Sequence, residues 1–428
     1  MSSATPQPHS VWSFRLILVC LAAVSVSLPM AWISLAKVLI FVLGLACLIA
    51  NHVRKRSDPV FKNLWTSRVI IAILLAFSLS LLCSIVDMEI ALLALVKHSK
   101  LLEILLLISL IRSAHEARLA MTAFAAGQTL LLLSSWLMAV GVPIPWATSS
   151  GFKYVVFSTY LDQSIIFATT AAVFWHLRSD HLWPRWLAAL LAAAALINAL
   201  LLLEGRTGYA VALTVLSLAV MWAMPKRLRL ATLMATPIIV IFGLYLGSAQ
   251  VQDRLSKVVH ESQNYANQGG SEGSSGWRLN AWHRSIQAMK ESPWLGHGVG
   301  SWTMTIKRLE GSAATQIFGE GKAGNPHQEY LLWGVELGLA GTLLLISLMA
   351  CVMRDALQFK TSITRAIISV VAAMAVACMF NSTLYDALIG DFFCVALGLL
   401  IALGIRTAPT SSGQTMSAPD LESLKATS

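Results

Sequence analysis

His327 stands in the run Asn325-Pro326-His327-Gln328, whose residue types write a helix start. Asn caps helices, Pro suits the first helical position, and Gln three residues past the cap can bond back. On that reading the imidazole lies in the first turn of a helix, where the positive end of the dipole lowers its pKa. It is then neutral at pH 7, the state in which an imidazole can take a proton from a hydroxyl. A purely capping histidine is the plainer alternative. From His327, steps of four, three, four and three residues reach Leu331, Gly334, Gly338 and Gly341, one stripe down the helix. Glycines on a stripe admit a close neighbour, as small-residue faces do in membranes, so the spacing predicts that His327 crowns a crevice between two helices.

Two arginines are placed to serve the same chemistry. Arg206 lies in Glu204-Gly205-Arg206-Thr207-Gly208, a very short turn after an apolar run, and Arg278 opens an amphipathic stretch where helix-start amides add positive potential. A guanidinium grips phosphate oxygens with a planar fork, so two fixed arginines beside a lipid surface suit a lipid-linked pyrophosphate. The bland readings are a span anchor or a Glu204 partner for Arg206, and a solvated charge for Arg278. Arg284, on the polar face of the same stretch, and Gln328 are further substrate contacts. Lys97, His98, Lys100 and Glu103 fall within an apolar run, where ionisable groups are costly and usually functional. Lys97 and Lys100 are therefore added to the binding set, with a simple Lys100–Glu103 pair as the alternative. Asp87-Met88-Glu89 could hold a metal with a diphosphate, but a lone acidic pair beside a span is more often a surface turn. His260, His283 and His297 lack metal-ligand spacing, and no Walker loop, His-Glu-x-x-His helix or Gly-x-Ser-x-Gly elbow occurs. Neither metal nor cofactor is expected.

The elements that must position these groups are membrane helices. With 57% hydrophobic and 12% charged residues, and long apolar runs that do not alternate, the chain reads as an all-α polytopic membrane protein of about twelve spans rather than a β-barrel. Residues 1–246 carry the first nine spans, among them 11–30, 90–111 and 164–177. Residues 247–329 form one large outer loop domain with short helices, 330–406 carry the last three spans, and 407–428 read as a disordered tail. The Lys and Arg residues of the short loops, from Arg54 to Arg406, fall on every second connection. That alternation places both termini in the cytoplasm and the long loop outside. The net charge of +10 is then largely a topological signal and calls for no nucleic acid. The first run, with Arg15 ahead of it, resembles a signal peptide but meets a second span at once, so an uncleaved hairpin is expected. All six cysteines lie within spans, which suggests no disulfide. In the loop, Gly269 to Gly276 reads as a hinge. A surface helix follows it, with Leu279, Trp282, Ile286 and Met289 facing the membrane boundary.

His327-Gln328, nine residues, Gly338, two residues and Gly341 resemble the signature of the bacterial O-antigen ligase family. The stretch 277–302, with Arg278, Pro293, Gly296, Gly298 and Gly300, is similar to that superfamily's large periplasmic loop, and Arg206-Thr207-Gly208 matches its first functional arginine. The resemblance implies an O-antigen ligase of the bacterial inner membrane. Polysaccharide would leave undecaprenyl pyrophosphate and join a sugar hydroxyl of lipid A–core at the periplasmic face, by metal-independent inverting displacement. Arg206 and Arg278 would clamp the pyrophosphate and His327 would activate the acceptor hydroxyl. An O-antigen polymerase and a protein O-oligosaccharyltransferase share the loop. A lipid or glycan transporter, of another class, would show paired half-repeats that the sequence lacks.

Overall fold

Runs rich in leucine, isoleucine and alanine can satisfy their backbone in an apolar setting only within each segment, and the computed structural model is helical accordingly. It describes residues 13–53, 63–148, 151–180, 182–247, 273–311 and 324–408, with a few single positions between 252 and 263; no strand occurs among them. Helices α1 (Phe14–Ser25) and α2 (Met30–Val53) form a first hairpin. Next come α3 (Trp65–Ser80), then α4 (Met88–His98) and α5 (Leu102–Leu110), which are joined by a 3-10 turn at Ser99–Leu101. The series continues with α6 (Ala114–Ala139), α7 (Tyr160–Leu177), α8 (Arg185–Ile197), α9 (Arg206–Ala223) and α10 (Arg229–Gly247). The outer loop supplies α11 (Gly273–Glu291) and α12 (Trp302–Glu310); α13 (Glu329–Ala356), α14 (Thr361–Phe380) and α15 (Ala387–Thr407) follow.

Among the described residues nine helices are long and apolar enough to cross a membrane: α2, α3, α6, α8 with the turn after it, α9, α10, α13, α14 and α15. The three other expected spans take different forms. Residues 11–30 give the shorter α1, residues 90–111 the interrupted α4–α5 pair, and residues 164–177 belong to α7, whose ends carry Asp162, Gln163 and His176. The basic run 54–62, most of the tail and Gly269 to Glu272 of the expected hinge lie outside the described residues. Local caps agree with the sequence at α6 and α7, where the Ser113 and Thr159 hydroxyls accept from the amides of Glu116 and Asp162.

Helix α15 is the axis of the bundle. It touches α1, α2, α5, α6, α7 and α14, and 94% of its most apolar window is buried within the protein. Small residues allow this: a Cβ at Gly398 or Gly404 would press on Leu107 or Phe359. At the other extreme α10 packs only on α9 and the turn between them among the stronger contacts, and it turns Ile238, Ile239, Phe242 and Leu246 outward.

The structure corrects three readings around the histidine. First, the helix begins at Glu329 and its cap is Gln328, whose side chain accepts from the Leu331 amide at 2.7 Å. His327 is therefore outside the helix and has a left-handed backbone, φ 47°. Asn325 does not cap; its Oδ1 accepts from the His327 amide at 2.9 Å, an Asx turn that outcompetes a helix start.

Second, the glycine stripe does not run down one helix. Gly338 has φ 67° and ψ −159°, so α13 is two helices joined at a break, in a region open in practice only to glycine. The outer loop fills that break. Pro293 O accepts from the Leu339 amide at 2.7 Å, and the amides of His297 and Gly298 donate to Val335 O and Glu336 O at 2.8 and 2.9 Å. Gly298 meanwhile lies against Ser84, in the turn between α3 and α4. Gly334 receives Met289 of α11. The close neighbour that the glycines admit is thus the loop, not a membrane helix. The Glu336 carboxylate secures the joint, accepting from the Gly300 amide and meeting His98 Nε2, each at 3.0 Å.

Third, α11 is not a surface helix lying on Leu279, Trp282, Ile286 and Met289. Its first turn is Gly273 to Gly276, so Arg278 lies past the helix start. The buried positions are Ala281, Ser285 and Ala288, while Ile286 is exposed. Small side chains at this spacing let α11 approach α13 and α12 closely, and packing of that kind overrides the apolar stripe read from the sequence.

Candidate active site

The site is assembled from three connections at one end of the bundle: residues 324–328 ahead of α13, residues 381–386 between α14 and α15, and the first turns of α11. His327 Nδ1 is 3.1 Å from Asn381 Oδ1. The Trp277 ring meets the imidazole edge-on, with centroids 5.2 Å apart. Trp282 Nε1 donates to Pro326 O at 3.0 Å and so holds the connection against α11. Burial, together with the Arg278 guanidinium nearby, lowers the His327 pKa below its ordinary 6.5, against an opposing hydrogen bond from Asn381. The imidazole is neutral at pH 7, as expected, but because of burial rather than the helix dipole.

Which nitrogen is basic follows from the next partner. Asp386 Oδ1 accepts from Asn325 Nδ2 at 3.5 Å, and the Asn381 side chain lies where it favours the Asp386 carboxylate. A carboxylate only accepts, so the Asn381 amide turns its NH2 to Asp386 and its oxygen to His327. Nδ1 of His327 then carries the proton and Nε2 keeps its lone pair. Asp386 itself is pushed up to about 6 by burial, with Lys100 and Lys97 pulling the other way. His327, Asn381 and Asp386 form a line in which each group orients the one before it.

Arg278 follows Trp277 directly and acts electrostatically on His327, so the structure brings these two predicted residues together. Arg206 is the first residue of α9. A π turn, Asn198–Leu202, closes α8 just before it; such turns concentrate at functional sites. Gly205 is pressed against Ser164 and the Tyr160 carbonyl of α7, in the same turn as Asp162, which lies within electrostatic reach of Asp386. Helix α9 also packs on α14, the helix that ends at Asn381. Helix α9, which Arg206 opens, thus packs on α7 and α14, whose ends border the site.

The remaining predicted contacts are spread out. Arg284 pairs with Glu310 at 2.6 Å and ties α11 to α12. Gln328 caps α13. Lys97 stands over the Tyr385 ring, and Lys100 donates to Asp386 O at 2.6 Å. Lys100 meets Asp391 rather than Glu103, because Asp391 of the central α15 is the nearer acid. Among the described residues no three His, Cys, Asp or Glu side chains converge as metal ligands. The sequence pattern read Asn325 only as a cap and did not point to Asn381, Asp386 or Trp277. A signal existed for two of them: Asn381-Ser-Thr-Leu-Tyr-Asp386 is a polar knot between the last two apolar runs.

Residues 190–346 match the family model described as O-Antigen ligase. Over that stretch the chain is similar to the O-antigen ligase family. The matched stretch runs from α8 into α13 and contains Arg206, Arg278, Arg284, His327, Gln328 and the glycines of the loop joint. Lys97, Lys100, Asn381 and Asp386 lie outside it. No curated protein matches the chain.

Proposed function

We propose that the chain is an O-antigen ligase, moving a polysaccharide from undecaprenyl pyrophosphate to a sugar hydroxyl of lipid A–core at the periplasmic face of the bacterial inner membrane, with both termini cytoplasmic. The observation that carries this reading is a neutral imidazole with its Nε2 lone pair unused by the Asn381 line and with Arg278 beside it. The acceptor oxygen attacks the anomeric carbon while its proton passes to Nε2. The bond from that carbon to the pyrophosphate oxygen breaks on the opposite face, and the electron pair leaves with the pyrophosphate, so configuration inverts. Arg278 and Arg206 neutralise the charge that develops there, a role other enzymes give to a divalent ion. Activity is therefore expected to survive EDTA.

Helix α9 offers a path for the lipid. An apolar cavity of about 350 Å³ between α7, α8 and α9 is lined by alanines and by Val215 and Met224, starting about 14 Å below Arg206 at 1.5 Å rise per residue. An isoprenoid chain whose pyrophosphate rests on Arg206 can run along that face. Deletion in a host with smooth lipopolysaccharide tests the reading: rough lipopolysaccharide with accumulated lipid-linked polymer is expected. Lipopolysaccharide carrying a single repeat would instead make the chain a polymerase.

A further inference from the structure

A second cationic pocket lies on the other flank of the bundle. It is a cavity of about 440 Å³ between α2, α4 and the connection ahead of α15, lined by Lys37, Lys97 and Lys100, of which Lys100 is buried and Lys97 exposed. Lys37 reaches Asp391 at 2.6 Å. Lys100 lies 3.9 Å from the same carboxylate, and Lys97 Nζ stands 4.1 Å from the Tyr385 ring centre. The cavity lining itself carries three lysines against one acid, Asp386.

The mouth is of opposite character. Val38 and Val42 on α2 and Val96 on α4 are 58, 67 and 67% exposed. Because α2 is one of the nine apolar helices, they open the cavity toward acyl chains. An apolar mouth leading to a cationic end fits an amphiphile with an anionic head. Lysine ammonium groups, unlike an arginine fork, accept a phosphate in many orientations.

The position is as informative as the chemistry. Helix α2 packs on α1, α5 and α15, while α9 packs on α7, α10 and α14. The core helices α14 and α15 thus separate the lysine cavity from Arg206. The two flanks meet at Asp386, which lines the cavity and also holds Asn381 against His327. Transfer between two membrane lipids needs two docks that converge on one base. We propose that the lysine cavity seats the phosphate of the second, acceptor lipid, a phosphorylated glycolipid, while the arginines hold the donor; this rests on the two-lipid reading above.

The test is direct binding by the full-length protein in phosphatidylcholine nanodiscs, read by native mass spectrometry. The probes are lipid A, dephosphorylated lipid A, undecaprenyl phosphate and phosphatidylglycerol. Lipid A should bind at least about tenfold more tightly than its dephosphorylated form, the scale of one charge-assisted contact. Lys37→Gln with Lys97→Gln should abolish that difference. Val42→Trp, which fills the mouth and leaves every charge in place, should weaken lipid A about as much, whereas Arg278→Ala should not. Three results overturn the proposal: lipid A binding indifferent to its phosphates or to the cavity variants, undecaprenyl phosphate as the ligand those variants lose, or phosphatidylglycerol binding as well as lipid A. Since binding is read without transfer, it can fail while deletion still yields rough lipopolysaccharide, and the two readings fall separately.

Discussion

The two cationic flanks of His327 are built on different principles. Arg278 rides on α11, a helix outside the membrane spans that is docked into the bundle through the Gly338 break, backbone to backbone. Lys37, Lys97 and Lys100 stand on the bundle's own helices and turns, Lys37 and Lys100 meeting Asp391 and Lys100 also the Asp386 carbonyl. The arginine flank depends on a docking geometry that can be undone by one glycine, whereas the lysine flank is part of the core. Charge alone does not separate them; what each charge is anchored to does. A group that must grip a departing pyrophosphate and release it belongs on the element that can be displaced.

His327 serves both flanks, so its loss should be the most severe. His327→Ala is expected to lower transfer by about two to four orders of magnitude while donor and lipid A binding persist. Near-normal ligation by that variant in purified membranes would mean that the base lies elsewhere. On the arginine flank alone, Arg278→Lys and Arg206→Lys should each be nearly as damaging as alanine, by about one to two orders of magnitude, because an ammonium cannot reproduce a bidentate contact. If both hold one leaving group, the double alanine variant should be little worse than the worse single one. Full activity with lysine at both positions, or additive losses, would remove them from one pyrophosphate site.

Much of this was legible in the sequence. The apolar runs set the fold class, since membrane helices are written in composition. Arg278 and His327, picked out at the edges of apolar runs, do lie near each other, and Arg206 opens a helix packed on α7 and α14. What could not be read was local backbone choice. Asn325-Pro326 is equally good as a cap or as an Asx turn, and only the docking of α11, through Trp277 on His327 and Trp282 on Pro326, decides between them. Gly338 looked like a small residue on a helix face because spacing cannot distinguish a glycine kept for its size from one kept for φ 67°. Likewise the Asn381–Asp386 line joins residues more than fifty positions from His327, and no local pattern links them.

The Gly338 joint gives a sharper separation of the flanks. Gly338→Ala places a side chain in a backbone region that costs on the order of 1–3 kcal/mol, and its Cβ would come within 2.6 Å of the Trp294 backbone. The expected result is undocking of the loop. Donor binding and transfer should fall as in Arg278→Ala, the melting temperature in detergent should drop, and lipid A binding at the lysine cavity should be retained. Equal loss of both lipids would show that the flanks are one cooperative unit and that the distinction drawn here is wrong.

The smallest expected effect tests the residue where the flanks meet. Asp386 has a pKa pushed up to about 6 by burial and faces Lys97, Lys100 and Asp162. Above pH 6 it is ionised and holds the Asn381 NH2, which keeps the Asn381 oxygen on Nδ1 and the lone pair on Nε2. As pH falls through about 6 the carboxyl gains a proton and can donate in its turn, so the order of donors along the line is lost. Transfer should therefore decline between pH 7 and pH 5 with a midpoint near 6. The pKa of His327 is depressed, so its own protonation belongs at lower pH. Asp386→Asn should lower the rate at pH 7 by about tenfold, less than losing the base itself, and flatten the decline near pH 6. Asn381→Ala should lower the rate without moving the Asp386 midpoint upward by more than its lost hydrogen bond allows. If Asp386→Asn keeps the full acid limb of the wild type, the limb belongs to His327 alone, and Asp386 serves only to hold Asn325 and the lysines in place.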